Sequence, residues 1–418
     1  MSQNLIFDLT QAESLRQKNT LNLIASENYP SPKVLELLGS VWSNKYAEGY
    51  PGKRYYAGNV NTDKLETLVQ QKALEVFDKT GEYEVNVQVL SGSPANAMVF
   101  LTVLNQGDTI LSLNLANGGH LSHLHATSRY LKFFNLVNYD VKEVGGDDFE
   151  VDLEDFKAKL LEHRPKLTII GFSAYPKSYK FAEMCKVAHE AGSLVLADIA
   201  HINGLVAAEL HDSPFKSGSE GADFVTMTTH KTFRGPRGAM LFSKKEHSTE
   251  INKTIFPGTS GGPHMNKIAA IGQALLEILG EDIYPDKVDF KTYSQNVIST
   301  CKALENGLKD AGLGVVSPTQ NHLCLVRLPA ELDSLEVQRH LESLGIITNR
   351  NSVPFDTKTP WKPSGVRFGT AALTSRGLTV DQAFNLGKLI GQITLHQISD
   401  TDAENQVIDL VNALNWWY

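Results

Sequence analysis

"KLTIIGFSAYPKSYKFAEMCKVAHEAGSLVLADIA", residues 166–200, decides the fold. Its flanking runs, "KLTIIGFSA" (166–174) and "SLVLADIA" (193–200), are apolar on both faces, as strands of a covered parallel sheet should be. Between them Phe181, Met184, Cys185 and Ala188 fall at i, i+3, i+4 and i+7, one face of a helix, and Gly192 supplies its stop. This is a strand–helix–strand unit. A further run, "ADFVTMTT" (222–229), makes the next strand, and from about residue 85 to 245 short apolar runs alternate with helix-like stretches. The pattern predicts an α/β protein whose large domain is a mostly parallel open sheet covered by helices.

Past about residue 280 the pattern changes. A long helix-like stretch (292–311) precedes "GVVSP" and "HLCLVRL", then "SLEVQRHLESLG", then "SGVRFGT". The last helix opens on Thr379-Val380-Asp381-Gln382, a capping-box pattern. This part reads as a smaller α+β domain. The expected division is an N-terminal arm over 1–30, a large cofactor-binding domain over 31–280 and a small C-terminal domain over 281–418.

Composition narrows the function. A net charge of −8 disfavours broad binding to nucleic acid or anionic membranes. No stretch approaches the roughly 18 apolar residues of a membrane span. The first twenty residues carry Asp8, Glu13, Arg16 and Lys18 and no apolar core, which argues against a secretory signal. Cys185, Cys301 and Cys324 are too scattered for a zinc site or a disulfide frame, and no metal is expected. A cytoplasmic protein is the expectation.

In open α/β sheets ligands bind at the carboxyl ends of the strands. Three successive strands should end at Ser173, at Asp198 and at His230-Lys231, which puts a hydroxyl, a carboxylate and an amine on one rim. Asp198 alone reads as a loop cap and Lys231 alone as a surface lysine. Together they suggest pyridoxal phosphate, which needs a lysine for its Schiff base and a carboxylate to keep its pyridine nitrogen protonated. "VNVQVLSGSPANAMVFLTVL" (85–104) reads as a strand, then Ser91-Gly92-Ser93, then Pro94 in the first turn of a helix, where amides and dipole favour a phosphate. "ANGGHLSH" (116–123) adds a glycine turn with His120 and His123, and a histidine there could stack on a pyridine ring.

From here the residues resemble one family, the serine hydroxymethyltransferases, of the aspartate-aminotransferase-like fold type I pyridoxal-phosphate enzymes. The resemblance rests on "LIASENYPSP" (23–32), "NKYAEGYPGKRYY" (44–56), "ADIAHINGLVAA" (197–208), "THKTFRGPRG" (229–238), "NRNSVPFD" (349–356) and "SGVRFGTAALTSRG" (364–377), in the family's order from about residue 20 to 395. It implies Lys231 as the Schiff-base lysine and Asp198 on the pyridine nitrogen. His120 would stack on the ring, and His201 would contact its phenolic edge. Ser91, Gly92, Ser93, Ser173 and His230 would surround phosphate and ring, with Gly261 and Gly262 reaching the phosphate from a neighbouring subunit. Arg367 would clamp the substrate carboxylate as a bidentate pair, helped by Ser26. Tyr46, Glu48, Tyr55 and Tyr56 would come across a dimer interface, with Glu48 as proton shuttle and Tyr56 among the catalytic groups. For tetrahydrofolate the resemblance points to Leu115, Gly119, Leu121 and Asn351, with Thr359 in the 358–360 loop nearby.

The implied activity interconverts L-serine plus tetrahydrofolate with glycine plus 5,10-methylenetetrahydrofolate, in a homodimer or a tetramer. The alternative is a folate-independent aldolase or transaldolase on threonine-like β-hydroxy amino acids. The sequence departs from the family pattern at Ser260, Met227, Pro94, Val89-Leu90 and a longer 209–223 segment. None of these removes a residue that does the chemistry.

Overall fold

A computed structural model describes residues 4–124, 128–359 and 361–418. The chain forms two compact units: a larger one of Tyr29–Val144 and Glu150–Ser294, and a smaller one of Met1–Asn28, Gly145–Phe149 and Gln295–Tyr418.

The larger unit is built on strands β1 (Tyr83–Asn86), β2 (Thr109–Leu113), β3 (Asn135–Tyr139), β4 (Leu167–Gly171), β5 (Leu194–Asp198), β6 (Phe224–Thr228) and β7 (Ala239–Lys244). Among the described residues they form one seven-stranded sheet in the order β1-β7-β6-β5-β4-β2-β3. The pairs β6–β5, β5–β4, β4–β2 and β2–β3 are parallel, and β7 runs antiparallel to both of its neighbours. The expected α/β class and mostly parallel open sheet are present. Every residue of β4 and β6 is buried, which is why these strands read as unbroken apolar runs rather than alternating ones. The helix Phe181–Glu190 buries Phe181, Met184, Cys185 and Ala188, the four residues that its sequence period selects, and Gly192 follows at φ +80°. Each large apolar side chain so removed from water contributes about 1.5–3 kcal/mol.

Strand β1 is shorter than the sequence suggests. The apolar run continues to Leu90, but the strand stops at Asn86 and residues 87–90 leave the ladder. The carbonyls of Val87, Gln88 and Val89 accept from the buried Lys267 instead, a partner 180 residues away in sequence from Val87 that no local pattern could reveal.

The smaller unit carries the antiparallel sheet β8 (Gly314–Val316), β9 (Leu323–Arg327), β10 (Asn349–Asn351) and β11 (Gly365–Gly369), in the order β8-β9-β11-β10. The capping box at Thr379 is formed, with Thr379 and Gln382 exchanging side-chain and backbone bonds. The helix it opens, Val380–Thr394, is not the last one. Ser399 caps a further helix, Asp400–Ala413, whose buried residues Ala403, Val407 and Val411 lie four apart in an otherwise polar stretch. A stripe that narrow is easily read as loop.

The chain's two ends are tied through Arg376, which is 1% exposed. Its guanidinium donates to the carbonyls of Lys18, Thr20 and Asn415 at 2.9 Å each, closing the end of the helix Leu5–Lys18 and fixing the C-terminal tail. Trp416 packs its ring 5.4 Å from the same guanidinium. The "NWWY" terminus therefore docks on its own unit. Among the described residues no helix is long and apolar enough to cross a membrane.

Candidate active site

The parallel register brings the expected strand-end residues to one rim of the larger unit. Asp198 closes β5 opposite Gly171 of β4 and Thr226 of β6, while Ser173 and His230-Lys231 follow those two neighbours. Gly171 has to be glycine, because a Cβ there would lie 2.6 Å from the Asp198 carbonyl and 2.7 Å from its Cβ. Lys231 and Asp198 are both buried, at 7% and 8% exposure.

Asp198 is held by residues that the strand pattern does not single out. Its Oδ2 accepts from Asn96 Nδ2 at 2.8 Å and lies 2.9 Å from His123 Nε2, and its Oδ1 accepts from the Ala200 amide at 3.0 Å. Thr226 Oγ1 donates to Asn96 Oδ1 at 2.6 Å, which turns the amide nitrogen of Asn96 toward the carboxylate. Burial by itself would raise the Asp198 carboxyl. His123, His120 and Asn96 outweigh that and hold it well below the ordinary carboxylate range, so it is a fixed anion.

His120 belongs to the same network. Its Nδ1 is 2.7 Å from Ser122 Oγ, which also accepts from Asn96 at 3.1 Å, and its ring lies 5.4 Å from that of His123. The loop carrying it is set by glycines. Gly118 sits at φ +107° and its carbonyl accepts from the Ser173 amide at 2.7 Å, and a Cβ on Gly119 would lie 2.4 Å from the Leu113 carbonyl. His120 and Ser173 thus stand at neighbouring strand ends.

After β6 the chain closes a tight turn around Lys231. The amide of Arg234 donates to the Lys231 carbonyl at 3.0 Å with Arg234 at φ +61°, and Gly235 N donates to the Thr229 carbonyl at 2.7 Å. Arg234 accepts that backbone because its guanidinium is clasped 3.6 Å from the Tyr284 ring and 4.1 Å from that of Tyr293. Thr232 Oγ1 donates to the His201 carbonyl at 2.9 Å, so His201 and Lys231 are joined across the rim. His230 is driven down to about 3 by burial and by the nearby Lys231 and Arg237 cations, so its imidazole is neutral. Its Nδ1 is buried without a hydrogen-bond partner among the described residues.

Ser91 stands at the N-cap position of the helix Gly92–Val103 without a side-chain capping bond, and the first-turn amides have no partner within the helix. A Cβ on Gly92 would meet Thr228 Cγ2 at 2.9 Å, so this turn is pressed directly against the end of β6. A buried amine, a fixed carboxylate, a helix N-terminus against the same strand and an unpartnered imidazole nitrogen are the donor set that pyridoxal phosphate requires. The residues present fit the cofactor.

A second cluster is made by the hairpin in which Gly49–Tyr50 pairs with Lys53–Arg54. Tyr46 donates to Glu48 Oε1 at 3.2 Å, and its ring meets that of Tyr56 edge-on at 5.1 Å. Tyr55 lies 5.6 Å from Phe256. A Cβ on Gly261 would sit 3.3 Å from Glu48 Oε1, and one on Gly262 3.3 Å from the Tyr46 ring. All the residues that the family resemblance sends to a neighbouring subunit therefore gather in one place on this chain. Ser260, the departure from the family pattern beside them, has its amide tied to the Ile255 carbonyl at 2.9 Å.

The smaller unit brings Arg367 and the Ser26 segment together. Arg367 lies on β11 opposite Asn349, whose Oδ1 accepts from its Nη2 at 3.2 Å and its Nε at 3.3 Å. Burial lowers the guanidinium to about 10, and it stays charged at neutral pH. Two residues on, a Cβ on Gly369 would lie 2.4 Å from the Ala25 Cα, so the chain entering Ser26 is pressed on the end of β11. The residues expected to meet folate are split: Leu115, Gly119 and the exposed Leu121 belong to the larger unit, Asn351 and Thr359 to the smaller. Pro360 lies outside the described residues.

Sequence reasoning missed Asn96 and left His123 without a role. Both carried a signal: Asn96 is four residues after Gly92 on a helix that starts at a phosphate-like turn, and His123 follows His120 by three, so each shares a helical face with an identified residue. The departure at Met227 is harmless, because strand alternation turns it away from Thr226 and Thr228.

The sequence model of the family described as serine hydroxymethyltransferase matches residues 1–390. A protein named serine hydroxymethyltransferase from Desulfotalea psychrophila is 43% identical over 411 residues, covering 98% of this chain and 92% of that protein. With matches of that extent running through both units, the chain belongs to the serine hydroxymethyltransferase family.

Proposed function

We propose that Lys231 holds pyridoxal phosphate over the rim described above, and that the chain uses it to interconvert L-serine plus tetrahydrofolate with glycine plus 5,10-methylenetetrahydrofolate. The observation that carries the reading is the ionised Asp198, locked by Asn96 and His123 beside the turn bearing Lys231. When bound, the cofactor supplies an imine-forming aldehyde and a ring that stabilises negative charge at the substrate α-carbon.

Asp198 keeps a proton on the pyridine nitrogen, because an anion in this network favours a cation against it. His120 packs on the ring face, with its tilt set by Ser122. Ser91, Gly92 and Ser93 present hydroxyls and helix-end amides to the phosphate. Neutral His230 adds a donor or acceptor without further charge. His201 is tied to the lysine turn through Thr232 and contacts the phenolic edge. Arg367 binds the substrate carboxylate through its forked donors, with Ser26 beside it. Glu48 moves a proton at the serine hydroxyl and at the folate nitrogen, and Tyr55 and Tyr56 wall off water there. Leu115, Gly119, Leu121, Asn351 and Thr359 receive the folate.

Tyr46, Glu48, Tyr55, Tyr56, Gly261 and Gly262 serve the site of a second copy of this chain, so the working form is a homodimer or an assembly of dimers. Three exposed tyrosines around one glutamate support this, since an aromatic surface of that kind is what an interface covers.

The test is formation of 5,10-methylenetetrahydrofolate from L-serine by the cofactor-loaded protein, with Lys231→Ala as control. Product that requires tetrahydrofolate and vanishes in the control is expected. A yellow protein that cleaves threonine-like substrates but makes no folate product would overturn the folate assignment.

A further inference from the structure

Lys267 lies on the helix Met265–Leu279 and is 4% exposed, and nothing in the chemistry above uses it. Its Nζ donates to three consecutive carbonyls, those of Val87 at 3.1 Å, Gln88 at 3.3 Å and Val89 at 2.7 Å. An ammonium has three protons, so this set uses all of them. The three carbonyls occupy the stretch between the end of β1 and Ser91, just where the chain has left the sheet. The same side chain lies under the lysine turn: a Cβ on Gly238 would be 3.1 Å from Lys267 Cδ and 3.2 Å from its Cγ.

We propose that Lys267 is a positioning residue for the cofactor-phosphate turn Ser91–Ser93. The inference rests on reading that turn as the phosphate site. Carbonyl oxygens directed at a phosphate would repel it. By gathering the oxygens of residues 87–89 on one buried cation, the protein binds them away from the anion and enters the helix with its amides forward. Burial lowers the Lys267 ammonium to about 7, against the pull of the Glu66 carboxylate, and a dianion held at the turn would favour its charged form.

The ammonium is also the end of a buried chain of polar contacts. Gln88, whose carbonyl it holds, donates to Glu66 Oε1 at 2.8 Å and to the Gly49 carbonyl at 3.0 Å. Glu66 is fully buried and accepts from Arg54 Nη2 at 2.6 Å. Arg54 in turn donates to the carbonyls of Ala47 and Gly49 at 2.8 Å each, bracketing Glu48. One set of buried groups thus fixes both the entry to the phosphate turn and the tyrosine hairpin.

The experiment compares pyridoxal phosphate with pyridoxal, which lacks the phosphate, as ligands of the full-length protein stripped of cofactor. Lys267→Met should weaken pyridoxal phosphate by about tenfold or more, because the phosphate turn loses its support, and leave pyridoxal within about twofold. Lys267→Gln, which keeps donors but no charge, should fall between. A merely structural lysine would move both ligands together, and an unchanged ratio of the two affinities would overturn the proposal. So would failure of both variants to fold by circular dichroism, since the residue would then be a folding element. If the wild-type protein gives no borohydride-reducible adduct at Lys231, the cofactor-site reading itself falls, and this inference with it.

Discussion

The strand-end rim and the tyrosine hairpin belong to the same larger unit and are built in opposite ways. At the rim, Lys231, Asp198, His123 and Asn96 are all buried, and Asp198 has partners on both oxygens. On the hairpin, Tyr46, Tyr55 and Tyr56 are 55%, 74% and 49% exposed, and Glu48 has a tyrosine hydroxyl as its polar neighbour. The Asp198 network closes within one chain because its partners come from the helices and loop that follow strands of one sheet. The hairpin has rigid backbone, held by Arg54 from beneath, but its working faces point outward. Fixed backbone with exposed aromatic groups around a half-buried acid is what a site looks like when another surface covers it.

That contrast can be broken experimentally. The largest effect belongs to Lys231→Ala, which removes the amine proposed to hold the cofactor: serine-dependent product formation should fall to the background of the assay. Mixing separately inactive Lys231→Ala and Glu48→Gln chains is the sharpest test of the division between rim and hairpin. Random pairing of shared sites predicts recovery of about a quarter of wild-type activity. If each chain is self-sufficient, mixing recovers nothing.

Next in size is Asp198→Asn, which leaves the network in shape but removes its charge. A loss of about 2–5 kcal/mol in transition-state stabilisation is expected, read as kcat/KM. His123→Ala should cost about 1.5–3 kcal/mol, the value of a hydrogen bond to a charged group, and should appear mainly in kcat with serine binding little changed.

The smallest effect is on stability against pH. The folded carboxyl of Asp198 is depressed below its unfolded value, so its contribution is fully present above the ordinary carboxylate pKa of about 4 and is lost as pH falls further toward the folded value. The stability difference between wild type and Asp198→Asn should therefore be steady from neutral pH to about pH 5 and shrink below about pH 4. Denaturant titrations at several pH values would show it, and a difference that grows on acidification would contradict the assigned sign.

Much of this was legible in the sequence because it is written locally. The sheet announced itself through strands buried on both faces, and the rim followed from where those strands end. Asn96 and His123 were harder, because each acts on Asp198 from about 100 and 75 positions away. Lys267 was invisible for the same reason: a lysine near the start of a helix reads as solvent-facing, and only the fold reveals three carbonyls waiting for it. Residues that hold other residues in place leave weak marks on a sequence, whereas residues at strand ends and in glycine turns leave strong ones.

The most direct test of the central claim is to reduce the cofactor-loaded protein with borohydride, digest it and locate the pyridoxyl group by peptide mass spectrometry. The account predicts a single labelled lysine, Lys231, in the peptide that follows β6, with the label lost when phosphate-bearing cofactor is stripped before reduction. Label on any other lysine, or none on Lys231, would contradict it.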